Sequence, residues 1–158
     1  MTVEVAFALG SNLGDPVDNL CRALALLEAA GIAKGLRASR FYRTAPWGPV
    51  PQGPFVNACA VGATALAAAD LLRRVKAAEV ALGRADGVRW GPRVIDIDIL
   101  YRGEDALASP ALTLPHPRLM ERAFVLVPLS DLVPDRVIGG ITVAEAAARV
   151  GRAGVEPL

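Results

Sequence analysis

Aromatic residues, cysteine and net charge are all scarce in this sequence. Phe, Trp and Tyr make up 5% of its 158 residues, so alanine and leucine must fill most of the interior. Its two cysteines, Cys21 and Cys59, form no C-x-x-C pair and read as two buried free thiols, as suits a reducing cytoplasm. A net charge of +1 excludes broad nucleic-acid binding, which needs a strongly basic surface. The opening MTVEVAFALG has no basic n-region and turns to Gly and Asn by residue 12, so neither a signal peptide nor a membrane span is expected. No G-x-x-x-x-G-K-[ST] run is present, and no G-x-G-x-x-G opens a helix, so neither a P-loop nor a dinucleotide fold has support.

Hydrophobic residues make up 53% of the chain and charged ones 21%, enough for a substantial core in one domain. Val3 to Leu9 reads as a buried strand and Gly10 to Gly14 as a turn. Asp15 then caps a helix with Pro16 at its first position, and this helix runs to about Ala30 with Leu20, Leu24 and Leu27 on one face. Arg37 to Arg43 reads as a strand, and Ala45 to Pro54, with four prolines and two glycines, as a loop. Phe55 to Gly62 reads as a strand, Ala67 to Leu82 as a helix closed by Gly83, and Val94 to Tyr101 as a further strand. Thr113 to Arg118 is a loop, Arg122 to Leu129 a strand or short mixed element, and Thr142 the cap of a last helix, Val143 to Val150. This order predicts an α+β, split βαβ (ferredoxin-like) domain over residues 1–158, an antiparallel-rich sheet with two helices on one face.

Chemistry concentrates in RWGPRVIDIDIL, Arg89 to Leu100. Residues two apart on a strand point the same way, so Asp96 and Asp98 share a face with Val94 and Leu100, while Ile95, Ile97 and Ile99 enter the core. Like charges ~6 Å apart repel by roughly 3 kcal/mol at an effective dielectric of 20. An edge strand with its polar face in water would tolerate this. So would a divalent cation, because carboxylate oxygens suit Mg²⁺, which keeps waters and accepts phosphate oxygens as its other ligands. Arg84, Arg89 and Arg93 stand in and beside the preceding loop, and guanidinium groups next to such carboxylates fit phosphate transfer. The turn GSNLG, Gly10 to Gly14, lacks a lysine and is explained as well by a tight turn as by anion binding.

FALGSNLGD (Phe7 to Asp15), FYRTAPWGP (Phe41 to Pro49), FVNACA (Phe55 to Ala60), RWGPRVIDIDIL and LPHPRLMERAFVLVPL (Leu114 to Leu129) together resemble the 6-hydroxymethyl-7,8-dihydropterin pyrophosphokinase family, in its order, over about residues 3 to 135. The resemblance implies a ferredoxin-like fold and transfer of a pyrophosphoryl group from ATP to the pterin hydroxymethyl oxygen, with AMP released and two Mg²⁺ ions used. It implies metal binding by Asp96 and Asp98, and phosphate contacts from Arg84, Arg93 and Arg122. Glu79, Trp90, Ile99, Thr113 and His116 match positions on the nucleotide side, with Trp90 on a closing loop. Phe55 and Phe124 match two rings that sandwich the pterin, Asn57 the amide that reads its edge, and Thr44, Ala45 and Trp47 a loop offering backbone contacts; Asp96 also touches the pterin. Pro117 departs from members with tyrosine there, and the loop from Arg84 to Trp90 is about one residue short and lacks a middle arginine at Asp86 or Gly87. The implied partners are two small molecules, ATP and the pterin, with no nucleic acid or membrane, and a cytoplasmic monomer is expected. Two other readings stay open on these residues: another two-metal nucleotidyl transferase or cyclase, and a nucleotide-binding module without turnover. The former needs no Phe55, Asn57 and Phe124 set, and the latter predicts no Mg²⁺-dependent release of AMP.

Overall fold

The structure is a computed structural model that describes residues 1–46, 50–84 and 92–158. In chain order the elements are β1 (Val3–Ser11), α1 (Pro16–Ala29), β2 (Lys34–Ala38), β3 (Tyr42–Thr44), β4 (Phe55–Thr64), α2 (Ala68–Ala81), β5 (Asp96–Arg102), β6 (Leu107–Ala108), β7 (Thr113–Leu114), α3 (Ala123–Ser130), β8 (Val137–Ile138), β9 (Ile141–Thr142), α4 (Val143–Val150) and β10 (Val155–Pro157). The main sheet runs β10-β3-β4-β1-β5, and its paired strands are antiparallel. β2 and β3 share one edge of the long strand β4, β2 against Ala60–Ala63 and β3 against Phe55–Asn57.

The expected strand from Arg37 to Arg43 is therefore two strands, with Ser39 between them donating its backbone N–H to Cys59 O at 2.9 Å. The helix caps follow their local chemistry: Asp15 accepts from Asp18 N, and Thr142 from Glu145 N, each at 3.1 Å. Gly83 follows α2 at φ +101°, a conformation that disfavours a side chain.

α1 and α2 cover one face of the sheet. Leu20, Leu27 and Leu71 meet Val5, Phe7, Leu9, Ile97 and Ile99 there, and each fully buried leucine contributes roughly 2 kcal/mol. Besides these two expected helices, α3 and α4 form a second layer, and their Val125, Leu126, Val143 and Ala146 pack with Ala6, Cys59, Val61 and Leu100 on the opposite face. Arg122 to Leu129, expected as a strand or short mixed element, instead lies almost wholly in the helix α3, Ala123–Ser130. AFVLVPLS is apolar on every side because both sides are packed, so it carries no helical period to read. Cys59 is buried as expected, but Cys21 is exposed, on the side of α1 away from Leu20 and Leu27.

β5 begins at Asp96, two residues later than expected, and carries one extra residue. Phe7 pairs with Ile99 and Ala6 with Tyr101, so Leu100 is bulged and both Leu100 and Tyr101 join the α3–α4 face. Because α3 and α4 are eight residues each, they cover the Ala6 end of that face and leave the Ala8–Gly10 end open.

Candidate active site

The open end is a cleft of about 400 Å³, floored by β1, β4 and β5 and walled by α3, α2 and the loops beside them. Across its floor runs one rung of the sheet: Asn57 on β4, Gly10 on β1 and Asp96 on β5. A Cβ at Gly10 would lie 2.6 Å from Asn57 Oδ1, so the rung has room for the amide because the central residue has no side chain. The neighbouring rung pairs Ala8 with Asp98, which puts both aspartates on the cleft side, as the two-residue period requires.

Asp96 sits beside two guanidinium groups. Arg84 Nη1 lies 2.8 Å from Asp96 Oδ1 and 2.7 Å from Glu79 Oε2, and Arg93 Nε lies 3.8 Å from Asp96 Oδ1. Burial nonetheless dominates and, with Asp98 and Glu79 adding repulsion, pushes the Asp96 carboxyl up to about 6 against the pull of Arg84 and Arg93. Asp98 is exposed at the cleft mouth.

Glu79, expected on the nucleotide side, is buried at 4% exposed. Its Oε2 also accepts the backbone N–H of Ile97, between the two aspartates, at 2.8 Å. The burial thus has a purpose in local structure: one carboxylate fixes α2, Arg84 and the strand that carries both acids.

The other wall is aromatic and polar. Phe55 and Phe124 both line the cleft, and Arg122 lies over the Phe124 ring, 5.5 Å from its centroid. Asn57 Nδ2 donates to Thr44 Oγ1 at 2.6 Å, which orients the amide. His116 lines the same cleft; its Nδ1 accepts from Arg118 N at 3.1 Å, and burial, helped by Arg122 and Arg118 and opposed by Asp98, lowers its pKa.

The cleft therefore gathers Thr44, Ala45, Phe55, Asn57, Glu79, Arg84, Arg93, Asp96, Asp98, His116, Arg122 and Phe124, all named from sequence. It does not gather all of them. Ile99 is buried in the core opposite Phe7, and Thr113 sits in β7 opposite Ala108. Trp47, Trp90, Asp86, Gly87 and Arg89 lie outside the described residues. Sequence reasoning missed Lys76, one turn before Glu79 on α2, and the role of GSNLG. Asn12 in that turn donates to Gln52 Oε1 at 2.8 Å and Gly53 O at 3.2 Å, and accepts from Arg93 N at 2.8 Å. The turn is a fastener between the two site loops, and the signal was an amide side chain at a strand end with no charge beside it.

Among the described residues no group of three or more His, Cys, Asp or Glu side chains is placed to hold a metal ion. Apart from Glu79, whose Oε2 accepts from Arg84 and Ile97 N–H, the cleft carboxylates are Asp96 and Asp98, which fits a hard cation that takes its other ligands from phosphate and water, as Mg²⁺ does. No helix among the described residues is long and apolar enough to cross a membrane.

Residues 6–134 match the family model described as 7,8-dihydro-6-hydroxymethylpterin-pyrophosphokinase. A 2-amino-4-hydroxy-6-hydroxymethyldihydropteridine pyrophosphokinase of Methylorubrum extorquens is 45% identical, the match covering 94% of each chain. The protein of that name from Pseudomonas aeruginosa is 42% identical over 100% of this chain and 98% of its own. In fold, the chain is similar to the Plasmodium falciparum HPPK-DHPS crystal structure with a TM-score of 0.77 at 16% identity, covering 94% of this chain and 45% of that one.

Proposed function

The chain belongs to the 7,8-dihydro-6-hydroxymethylpterin-pyrophosphokinase family, and from that premise we propose how its cleft performs the family's reaction. It is an ATP-dependent transferase of folate biosynthesis: the pyrophosphoryl group of ATP passes to the hydroxymethyl oxygen of 6-hydroxymethyl-7,8-dihydropterin, and AMP leaves.

Asp96 and Asp98 would hold Mg²⁺, two ions in this reading, since both carboxylates line the cleft. Bound there, Mg²⁺ screens the phosphate charge and polarises the phosphorus under attack. Everything else falls to the chain's own side chains. Arg84, Arg93 and Arg122 line the cleft and would meet the phosphates there with charge-assisted hydrogen bonds. Phe55 and Phe124 stack the flat pterin, and Asn57, held by Thr44, reads its edge. His116, with Nδ1 occupied by Arg118 N–H, offers Nε2 to the nucleotide. Ile99, Thr113, Trp47 and Trp90 keep the roles their family positions give them. Phosphoryl transfer asks the protein mainly for positioning and charge neutralisation, which this arrangement supplies.

The single observation that carries this reading is the Asn57–Gly10–Asp96 rung, which sets the pterin-reading amide and a metal carboxylate in one cleft floor. The strand order with α1 and α2 on one face supports a ferredoxin-like arrangement. We read residues 1–158 as one cytoplasmic, monomeric domain.

Protein mixed with ATP, Mg²⁺ and 6-hydroxymethyl-7,8-dihydropterin should form AMP and the pterin diphosphate in equal amounts. Release of inorganic pyrophosphate instead would mark a nucleotidyl transferase or cyclase. Binding without turnover would mark a non-catalytic module. Phe124→Ala should weaken pterin more than ATP by calorimetry, and parallel losses would remove the ring from the pterin slot.

A further inference from the structure

One buried hydroxyl has no part in the chemistry above. Tyr42 is fully buried, and its Oη donates to Asp131 Oδ2 at 2.6 Å, a charge-assisted bond. Tyr42 lies on β3 directly opposite Asn57 and two residues before Thr44. Its ring forms a small cluster with Val127 of α3 and Val155 of β10, separate from the two main cores, and Ala123 and Phe124 pack against that cluster. Asp131 is the residue that follows α3. The side chain thus starts on the amide wall of the pterin slot and ends on the helix that carries the ring wall.

Both walls are short elements. β3 has three residues, and α3 has eight with no side-chain cap at its start. Phe124 lies near one end of α3 and Asp131 just past the other, about 10 Å apart at 1.5 Å per residue. A tilt of roughly five degrees about the Asp131 end moves the ring by nearly 1 Å, enough to spoil a stacking slot.

We propose that Tyr42 is a positioning residue: through Asp131 it holds α3, and with it Phe124, at a set distance from the Thr44–Asn57 wall before the pterin arrives. The inference rests on the pterin reading of Phe55, Asn57 and Phe124. Tyr42→Phe removes the hydroxyl and keeps the ring. Asp131 is exposed and regains water in that variant, so the fold survives.

The test is calorimetry on the full chain: pterin titrated into protein carrying Mg²⁺ and a non-transferable ATP analogue, and the analogue titrated alone. Tyr42→Phe should weaken pterin binding about five- to tenfold while the analogue changes by less than about twofold. Asp131→Ala should match it, the double variant should be no worse than either, and Asp131→Asn, which keeps an acceptor oxygen, should restore near-native affinity. Unchanged pterin affinity in Tyr42→Phe overturns the proposal. So does a parallel loss of both ligands with a lowered melting temperature, which marks a structural role. If the unmodified protein binds the analogue but no pterin, the pterin reading fails and this inference fails with it.

Discussion

Over its first two residues β5 meets Arg84, Arg93 and Glu79; near its last it meets Glu4, Arg136 and Asp105. The far cluster is closed. Tyr101 Oη donates to Glu4 at 2.6 Å, Arg136 lies 3.1 Å from Glu4 and 3.7 Å from the Tyr101 ring centroid, and Arg102 lies 2.8 Å from Asp105. Each charge there has an opposite partner, and the group ties β1, β5 and the segment before β8 together. The near cluster is open. Asp98 has no ion pair among the described residues, and Asp96 is held near its titration point by burial. The same strand therefore ends in a finished network at one side and in spare carboxylate capacity at the other. Spare charge in a partly buried site is costly to the empty protein and useful only once a cation arrives.

Substitutions should separate the two ends. Asp98→Ala or Asp96→Ala should lower turnover 10²- to 10⁴-fold, about 3–5 kcal/mol of barrier, with the fold retained; near-native AMP formation in either variant would erase the distinction. Arg136→Ala should cost about 1–2 kcal/mol of stability in denaturant titration, because Arg136 is 18% exposed while Glu4 is 40% exposed, with kcat at 25 °C unchanged. A comparable loss of kcat would show that the far cluster serves the reaction. Gly10→Ala should weaken pterin about tenfold, roughly 1.4 kcal/mol, as the new methyl displaces the Asn57 amide; unchanged calorimetric affinity would show that the amide has another place to go.

The smallest effect concerns the empty site and has a definite sign. The Asp96 carboxyl titrates near 6 in the folded protein, above the ordinary 3.8, so its contribution favours folding below about pH 4 and is lost as pH rises through 6. Asp96→Asn should therefore stabilise the metal-free protein at pH 8 by no more than about 1 kcal/mol, discounted for a side chain 34% exposed, and by nothing near pH 4. A gain that is larger at pH 4 would contradict the assignment of burial as the cause.

Strands β1, β4 and β5, helices α1, α2 and α4, and the shared face of Asp96 and Asp98 were legible because each rests on local rules: a period of two, a period of 3.6, an Asp or Thr cap. What stayed hidden depends on neighbours far along the chain. α3 hides because packing on all sides removes its polar stripe. Glu79 was named, but its partners were hidden, because nothing in its helix announces that Ile97 N–H and Arg84 lie 2.8 and 2.7 Å away. The split between β2 and β3 hides because Arg37 to Arg43 is uninterrupted by glycine or proline, while Ser39 bonds Cys59 across the sheet. The cleft's family motifs were read residue by residue, yet Ile99 and Thr113 fall outside its lining.

The bulge at Leu100 has a consequence for chain length. With Ile99 opposite Phe7 and Tyr101 opposite Ala6, removing Leu100 would leave a regular ladder in which every other side chain of β5 keeps its direction. The loss would be one buried leucine, on the order of 3 kcal/mol. Removing Ile97 instead would turn the strand's remaining residues on one side of the gap inside out. Of all positions between the acids and Tyr101, Leu100 is the one where a codon can vanish and leave both ends of the strand aimed as before.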